Sequence, residues 1–167
     1  TRVALMDFAE HAARSRGFDG FSYADMAEAI GIRKASIHHH FPTKANLSEA
    51  LIERYQTNLQ HRLAEIEATH ATAGARLKAL IALYRAALDD GRTVCLCVAF
   101  STSRESLSEV VIAKVSAVRA MILQWITATF ELGQRDGSIS AILDPAYEAP
   151  ATLAMLEGAH LAARTEE

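Results

Sequence analysis

The sequence predicts an all-α fold, in which a small N-terminal unit of three helices precedes a larger helical unit. Three observations carry this prediction. Alanine is the most frequent residue and 3 prolines occur, a composition that favours helix over strand. Half of the 167 residues are hydrophobic, which is enough for a full core and too many for a disordered chain. Apolar residues also recur at helical spacing along most of the chain.

The first two helices have clear boundaries in the sequence. A helix over residues 3–16 ends at Gly17, and its apolar face comprises Leu5, Met6, Ala9, Ala12 and Ala13. Ser22 is the expected N-cap of the second helix, because the carboxylate of Asp25 stands where a capping box needs it. Gly31 ends this short helix, so a tight turn follows.

A third helix is expected directly after that turn. It runs from Lys34 to His40 and is closed by Phe41-Pro42. Thr43 then caps a longer helix that continues to about residue 68. Two short helices joined by a glycine turn and held by a preceding helix are typical of a helix-turn-helix.

The two short helices divide their residues between a small core and an outward face. Ala27 and Ile30 of the first short helix are small or apolar, as is required where the two helices cross. Ile32 and Ile37 are expected to fill the same core from the side of the second helix. The outward positions of the second are Arg33, Lys34, Ser36, His38 and His39. These side chains can donate hydrogen bonds, as a surface that enters a DNA groove requires.

The remaining sequence predicts further long helices. Small residues at 69–74 break the pattern, a helix over residues 75–89 follows, and Asp-Asp-Gly-Arg at 89–92 ends it. The apolar run at 93–100 is consistent with helix or buried strand by periodicity alone, and its helical neighbours favour helix.

Two capping signals frame the last two helices. Ser106 is expected to cap a long helix from Leu107 to about Arg135. Asp144 caps the final helix, with Pro145 at its first position.

Charge and cysteine content limit the function classes. The net charge is −3, but residues 1–60 carry 7 Lys/Arg against 7 Asp/Glu and four histidines, so the acidic excess lies in the later part. This leaves the N-terminal part free to approach phosphates. Cys95 and Cys97 are too few and too close for a disulfide framework, which indicates a cytoplasmic protein. No uninterrupted apolar run reaches the ~18–20 residues that span a bilayer.

The segment GFDGFSYADMAEAIGIRKASIHHHFPTKANL, within residues 1–55, resembles the DNA-binding segment of the TetR (tetracycline-repressor-like) family. Two positions depart from the family pattern: His38 stands where tyrosine is usual, and Ala35 where glycine is usual. The resemblance implies a homodimer that binds palindromic operator DNA and is released by a small-molecule effector. By comparison with such regulators, one more helix is expected after residue 163; the last two helices of the family usually form the dimer bundle.

On this basis the sequence predicts a helix-turn-helix DNA-binding domain at 1–45, a connecting helix at 43–68, and a ligand-binding and dimerisation domain at 46–167. The predicted DNA-contacting residues are Ser22, Tyr23, Arg33, Lys34, Ala35, Ser36, His38, His39 and Lys44. Lys44 is the foremost phosphate contact, at the N-terminus of a helix. Its alternative is a solvated lysine, and the alternative for Tyr23 is a partly buried aromatic residue.

The three consecutive histidines do not predict a metal site. A helix turns about 100° per residue, so His38, His39 and His40 fan around the axis and cannot share one ion. We therefore expect phosphate contact from the first two, packing for His40, and no metal or other cofactor.

The predicted effector contacts are polar and aromatic residues of the later helices: Tyr84, Cys97, Phe100, Met121, Trp125 and His160. The alternative for each is an ordinary core position, and for His160 a hydrogen-bonded buried histidine. The alternatives for Cys95 and Cys97 are redox or electrophile sensing and plain packing.

Two function hypotheses follow. The first is a ligand-responsive DNA-binding transcriptional regulator, acting as a repressor. The second is a helical small-molecule-binding or enzymatic protein whose N-terminal helices merely pack. The sequence contains no Ser-His-Asp ordering or Gly-rich phosphate loop, so no enzyme is predicted. Glu157 and His160 are spaced i,i+3 like part of a di-metal motif, but this pair occurs once where two are needed.

Overall fold

The structure, a computed structural model, describes residues 1–165 and confirms the all-α fold. Eight α-helices lie in this part of the chain: α1 Arg2–Arg16, α2 Tyr23–Ile30, α3 Lys34–His40, α4 Lys44–Thr69, α5 Ala73–Ala86, α6 Leu96–Thr102, α7 Glu109–Asp136 and α8 Pro145–Ala163. Short 3-10 turns at Phe18–Gly20 and Arg104–Ser106 complete the regular structure.

The predicted caps of the short helices are confirmed. The Ser22 hydroxyl accepts from the backbone N–H of Ala24 and Asp25, and the Asp25 carboxylate accepts from the Ser22 N–H. Gly31 follows α2 with φ of 72°, a left-handed conformation that favours glycine. Thr43 and Asn46 form the capping box of α4. These caps place α3 directly across the turn from α2.

The three N-terminal helices, which we call the head (residues 1–43), share a small aromatic and aliphatic core. Its buried residues include Leu5, Met6, Ala9, Phe18, Phe21, Met26, Ile37 and Phe41. Ile37 is the buried residue of α3 and has no exposed surface. This single anchor leaves the rest of α3 free to face outward.

The larger unit is a helical bundle around α7. Helix α7 packs against α4, α5, α6 and α8, and its inward residues include Val111, Val118, Ile122 and Ile126. In the described part of the chain, α7 alone is long and apolar enough to cross a membrane, with a mean hydropathy of 1.5. Its contacts with these four helices account for part of this apolar character, since its inward residues are buried.

Two boundaries differ from the prediction. Ser106 does not cap α7: residues 104–106 form a 3-10 turn, and the hydroxyl of Ser108 accepts from the Val111 N–H, so α7 begins at Glu109. Helix α5 ends at Ala86 rather than at residue 89, because Asp89 and Asp90 take positive φ in the turn that follows.

His160 joins three parts of the larger unit. Its Nδ1 accepts from the Cys95 N–H, and its Nε2–H donates to the carbonyl of Tyr84, both at 2.9 Å. The residue is buried, and burial lowers the pKa of its imidazole. His160 is therefore the hydrogen-bonded core histidine of the alternative interpretation, held in the neutral Nε2–H tautomer.

We expect the stability of the protein to fall below about pH 6.5. The unfolded chain protonates its histidines near that pH, whereas burial delays protonation of His160 until lower pH. Stability is therefore full above about 6.5 and declines by at most about 1.4 kcal/mol per pH unit below it. Thermal unfolding of His160→Gln between pH 5.5 and 7.5 should show a shallower pH dependence. The exposed His11→Gln variant should keep the wild-type slope, and equal slopes in all three proteins would contradict this assignment.

Candidate nucleic-acid interface

The outward surface of α3 is a group of exposed residues, all of which except Ala35 carry side chains that can donate hydrogen bonds. Arg33 lies at the N-cap in extended conformation, and Lys34, Ala35, Ser36, His38 and His39 are all exposed. They occupy consecutive positions around the buried anchor Ile37. We call this group the α3 surface, defined as Arg33, Lys34, Ala35, Ser36, His38 and His39. The structure thus brings together six of the nine predicted DNA-contacting residues.

His38 has a fixed tautomer on this surface. Its Nδ1 lies 3.2 Å from the carbonyl oxygen of Pro42, and its ring packs edge-on against Tyr23 at 5.0 Å between centroids. A carbonyl only accepts, so Nδ1 carries the proton and Nε2 of the neutral ring is an acceptor. His38 gains a second N–H for a phosphate only as the imidazolium.

Tyr23 fits its packing alternative rather than the predicted phosphate contact. Its hydroxyl donates to the carbonyl of Phe41 at 2.9 Å, and the side chain is buried. Burial raises the pKa of the phenol to about 12. The one proton of the hydroxyl is already used, so a phosphate oxygen has no donor here.

Ser22 has a comparable local role. Its hydroxyl accepts from two backbone N–H groups and donates to the Asp25 carboxylate at 2.8 Å. The side chain of Ser22 is therefore used for the helix cap that the sequence indicates. Its predicted role in DNA binding then depends on its position at the start of α2.

Lys44 is held by the head. Its Nζ donates to the carbonyls of Phe18 at 2.5 Å and Phe21 at 2.7 Å, and lies within 4.5 Å of the centroids of both rings. Burial lowers the pKa of this ammonium, and the charges of Asp19 and Asp25 oppose that effect. Lys44 thus clamps the 18–21 segment to the N-terminus of α4, a role that the sequence did not indicate.

The predicted effector contacts do not meet in one site. Tyr84 lines a cavity of about 150 Å³ between α1, α4 and α5. Phe100 lines another, of about 120 Å³, between α6 and α7. Met121 and Trp125 lie in an open groove beside α4. Cys97 is buried, and burial raises the pKa of its thiol, so it fits a core residue. These six residues do not line one cavity in this structure, and their role as effector contacts stays a prediction.

The pKa values of the two cysteine thiols are shifted in the direction opposite to that of a sensing thiol. Burial raises the pKa of Cys95 to about 11, and its sulfur accepts from the Val98 N–H. A reactive cysteine needs a lowered pKa. Plain packing therefore describes both cysteines in this structure. No group of three or more His, Cys, Asp and Glu side chains that could hold a metal occurs among residues 1–165.

A network of arginines joins α1 to the larger unit. Arg14 donates to the carbonyls of Val94 at 2.9 Å and Ala87 at 2.7 Å. Arg54 of α4 pairs with Asp7 and Glu10 of α1, each at 2.6 Å. Sequence reasoning missed this network, because its partners are 44–80 residues apart and carry no local signal.

Comparison with known proteins agrees with this architecture. Residues 5–51 match the sequence profile of the bacterial regulatory proteins of the tetR family. The solved structure of a TetR-family transcriptional regulator from Agrobacterium tumefaciens is 30% identical, with a TM-score of 0.92. That match covers 99% of this chain and 87% of the other.

Two further relatives are informative. The HTH-type transcriptional regulator TtgR of Pseudomonas putida is 32% identical over 95 residues, which cover 56% of this chain and 45% of TtgR. The chain is thus matched over about half the length of this curated relative. The structure of AibR in complex with isovaleryl coenzyme A and operator DNA has a TM-score of 0.72 at 21% identity. It covers 96% of this chain and 85% of AibR, and at that identity it supports the fold.

Proposed function

This chain belongs to the TetR family of bacterial regulatory proteins, and from that premise we propose that it is a ligand-responsive DNA-binding transcriptional repressor. The observation that carries the proposal is the α3 surface, a row of exposed donors and cations held by one buried isoleucine behind a glycine turn. An enzyme has no need of such a surface, and we propose no catalytic activity.

We place the boundary between the DNA-binding and effector units in α4. The DNA-binding domain, residues 1–45, consists of the head and the first residues of α4 and binds DNA. Helix α4 connects it to the bundle, and residues 46–167 hold the effector and the dimer interface. The arginine network between α1, α4 and the 87–95 segment supports a mechanical connection, because it lets movement in the bundle reach the head.

A homodimer fits an exposed face of α8. Tyr147 and Met155 are 78% and 70% exposed, and Leu161 is 49% exposed one further turn and a half along the same helix. Residues 151, 154 and 158 between them are small and exposed. A second copy that covers this face would place two heads on a palindromic site. The further helix expected after residue 163 lies outside the described residues.

We propose that a small effector releases the protein from its operator in the cytoplasm. Binding in the larger unit would shift α4 and move the heads from successive major grooves, which are about 34–36 Å apart for one helical turn. AibR, which has been solved with both a ligand and operator DNA, is an example of this fold bound to both kinds of partner.

Selection from a random double-stranded DNA pool tests the proposed function. The protein should enrich a palindromic sequence at low salt, and binding should weaken steeply as salt rises, because bound phosphates release their counterions. Failure to enrich any sequence would contradict the repressor proposal. The alternative would then be a helical small-molecule-binding protein whose N-terminal helices merely pack.

Replacing His38 with tyrosine should strengthen operator binding at pH 8 by roughly two- to tenfold. A neutral imidazole whose Nδ1–H is committed to Pro42 has no donor for a phosphate, whereas a phenol supplies one, worth about 0.5–1.5 kcal/mol. Fluorescence anisotropy on the selected palindrome measures the change. His39→Tyr is the matched control, and unchanged or weaker binding by His38→Tyr would contradict the prediction that position 38 faces a phosphate.

A further inference from the structure

The cavity beside α1 is the feature that the proposed function leaves unused. It has a volume of about 150 Å³ and lies between the head and the larger unit. Its wall combines side chains of α1, α4 and α5 with the segment before α6: Arg14, Tyr55, Leu59, Leu83, Tyr84 and Cys95. None of the expected effector contacts except Tyr84 lies in this wall. The cavity therefore has to be understood from its own residues.

The cavity is large enough for one aromatic ring. An apolar cavity of about 150 Å³ in another protein holds a benzene molecule. Here two aromatic rings and two leucines form the apolar wall, from Tyr55, Tyr84, Leu59 and Leu83. Such a wall matches a flat apolar body.

The polar groups of the cavity wall determine which polar substituent the ligand carries. Burial raises the pKa of Tyr55 and of Tyr84 well above the usual phenol value, so both hydroxyls stay protonated and can donate. Two cations, Arg14 and Arg62, also line the cavity. The carboxylate in the wall, Glu10, is already paired with Arg54 at 2.6 Å. Arg14 also lies 3.7 Å from the other oxygen of Glu10, and Arg62 pairs at 3.2 Å with Glu65, which lies outside the wall. Within the wall two cations therefore face one carboxylate, and a ligand with an anionic acceptor group complements them.

Arg14 connects this cavity to the head. It leaves α1 to donate to the carbonyls of Ala87 and Val94, which flank the cavity on the other unit. A carboxylate in the cavity competes with these two carbonyls for the guanidinium, because a charged acceptor binds it more strongly than a neutral one. Loss of these bonds loosens α1 from the 87–95 segment, where the bond from the Val94 N–H to the Arg14 carbonyl remains. Helix α1 packs on α2, and α2 packs on α3, so a shift of α1 changes the position of the α3 surface.

We propose that this inter-unit cavity is an effector site for one-ring aromatic carboxylates, which act by drawing Arg14 away from Ala87 and Val94. The proposal rests on the proposed function, since it assigns the ligand class and the location of the effector. The cavity differs from the site in the later helices that the sequence predicted.

Binding of benzoate, salicylate and phenylacetate, measured by calorimetry and thermal shift, tests the site. Saturable binding of at least one acid, with a raised melting temperature, is expected, because a ligand of the folded state stabilises it by mass action. Benzylamine, of similar shape and opposite charge, should bind at least tenfold more weakly. Absence of binding by all three acids, or equal binding of benzylamine, would overturn the proposal.

Two pairs of variants locate the binding. Leu83→Trp fills the cavity, whereas Ile81→Trp places the same ring on the exposed side of α5. The first should abolish acid binding and the second should leave it intact. Arg62→Gln should weaken acid binding several-fold, and Arg85→Gln, an exposed position on α5 away from the cavity, should not. Acid binding that survives Leu83→Trp contradicts the location.

DNA binding of the unliganded protein separates the two proposals. If the selected palindrome is bound without ligand and benzoate weakens that binding in the wild type but not in Leu83→Trp, the effector assignment is supported. If the palindrome is bound and no acid changes it, the effector assignment fails while the repressor proposal stands. If no DNA is bound at all, the repressor proposal fails. Binding of the acids then still tests whether the cavity is a ligand site.

Discussion

Replacing Ile37 with alanine is expected to lower the free energy of unfolding by about 2–5 kcal/mol and to abolish operator binding. Ile37 has no exposed surface and is the buried residue of α3. Its removal leaves a cavity under a seven-residue helix that is otherwise exposed or partly exposed. A helix this short depends on packing for its stability. The α3 surface should therefore lose its position even though no donor has been changed.

Ile81 provides a matched control for this variant. It is also an isoleucine on a helix, but 47% of its surface is exposed. Ile81→Ala should cost less than about 0.5 kcal/mol and leave DNA binding unchanged. Denaturant unfolding and anisotropy on the selected palindrome measure both quantities. Equal losses of stability in the two variants would show that α3 is not anchored through Ile37.

Replacing Lys44 with alanine should destabilise the protein by about 1–3 kcal/mol, because the carbonyls of Phe18 and Phe21 lose their donor. The sequence interpretation of Lys44 as the foremost phosphate contact makes a different prediction. Each lost phosphate contact lowers the slope of binding against salt by about 0.9. If the clamp is the role of Lys44, the melting temperature falls while the salt slope of the folded protein is retained.

Lys34→Ala is the matched comparison for Lys44→Ala, because Lys34 is an exposed lysine on the α3 surface. This variant should keep the wild-type melting temperature and lower the salt slope. The two lysine variants are therefore expected to show opposite patterns. A wild-type melting temperature with a lowered salt slope in Lys44→Ala would restore the phosphate assignment and refute the clamp.

The local structure of the head could be predicted because its signals are local. Ser22 and Asp25 are three residues apart, Gly31 ends α2 by its own backbone freedom, and Thr43 stands directly before α4. Each of these features needs only its neighbours in sequence. The start of α7 was misplaced because Ser106 and Ser108 are equally good caps by sequence. In the structure Ser106 belongs to the preceding 3-10 turn, and Ser108 caps the helix.

Side-chain partners across the fold could not be predicted in the same way. Lys44 looks like a phosphate ligand in sequence, but the carbonyls that hold it are 23 and 26 residues away. Arg14 meets Ala87 over 73 residues, so the cavity beside α1 has no signal in any single segment. The aromatic residues predicted to contact an effector are similar in chemical type but lie in different parts of the larger unit. Chemical type can be read from the sequence, whereas convergence on one point requires the fold.

The salt dependence of operator binding by two double variants is the most direct test of the DNA-reading role of the α3 surface. Arg33→Ala/Lys34→Ala removes two cations from that surface, and Lys78→Ala/Arg85→Ala removes two exposed cations from α5. With binding measured by anisotropy from low to moderate salt, the first should lose affinity and lower the salt slope by about two per head, and the second should match the wild type. Equal losses in both variants, or wild-type binding that does not depend on salt, would contradict the account.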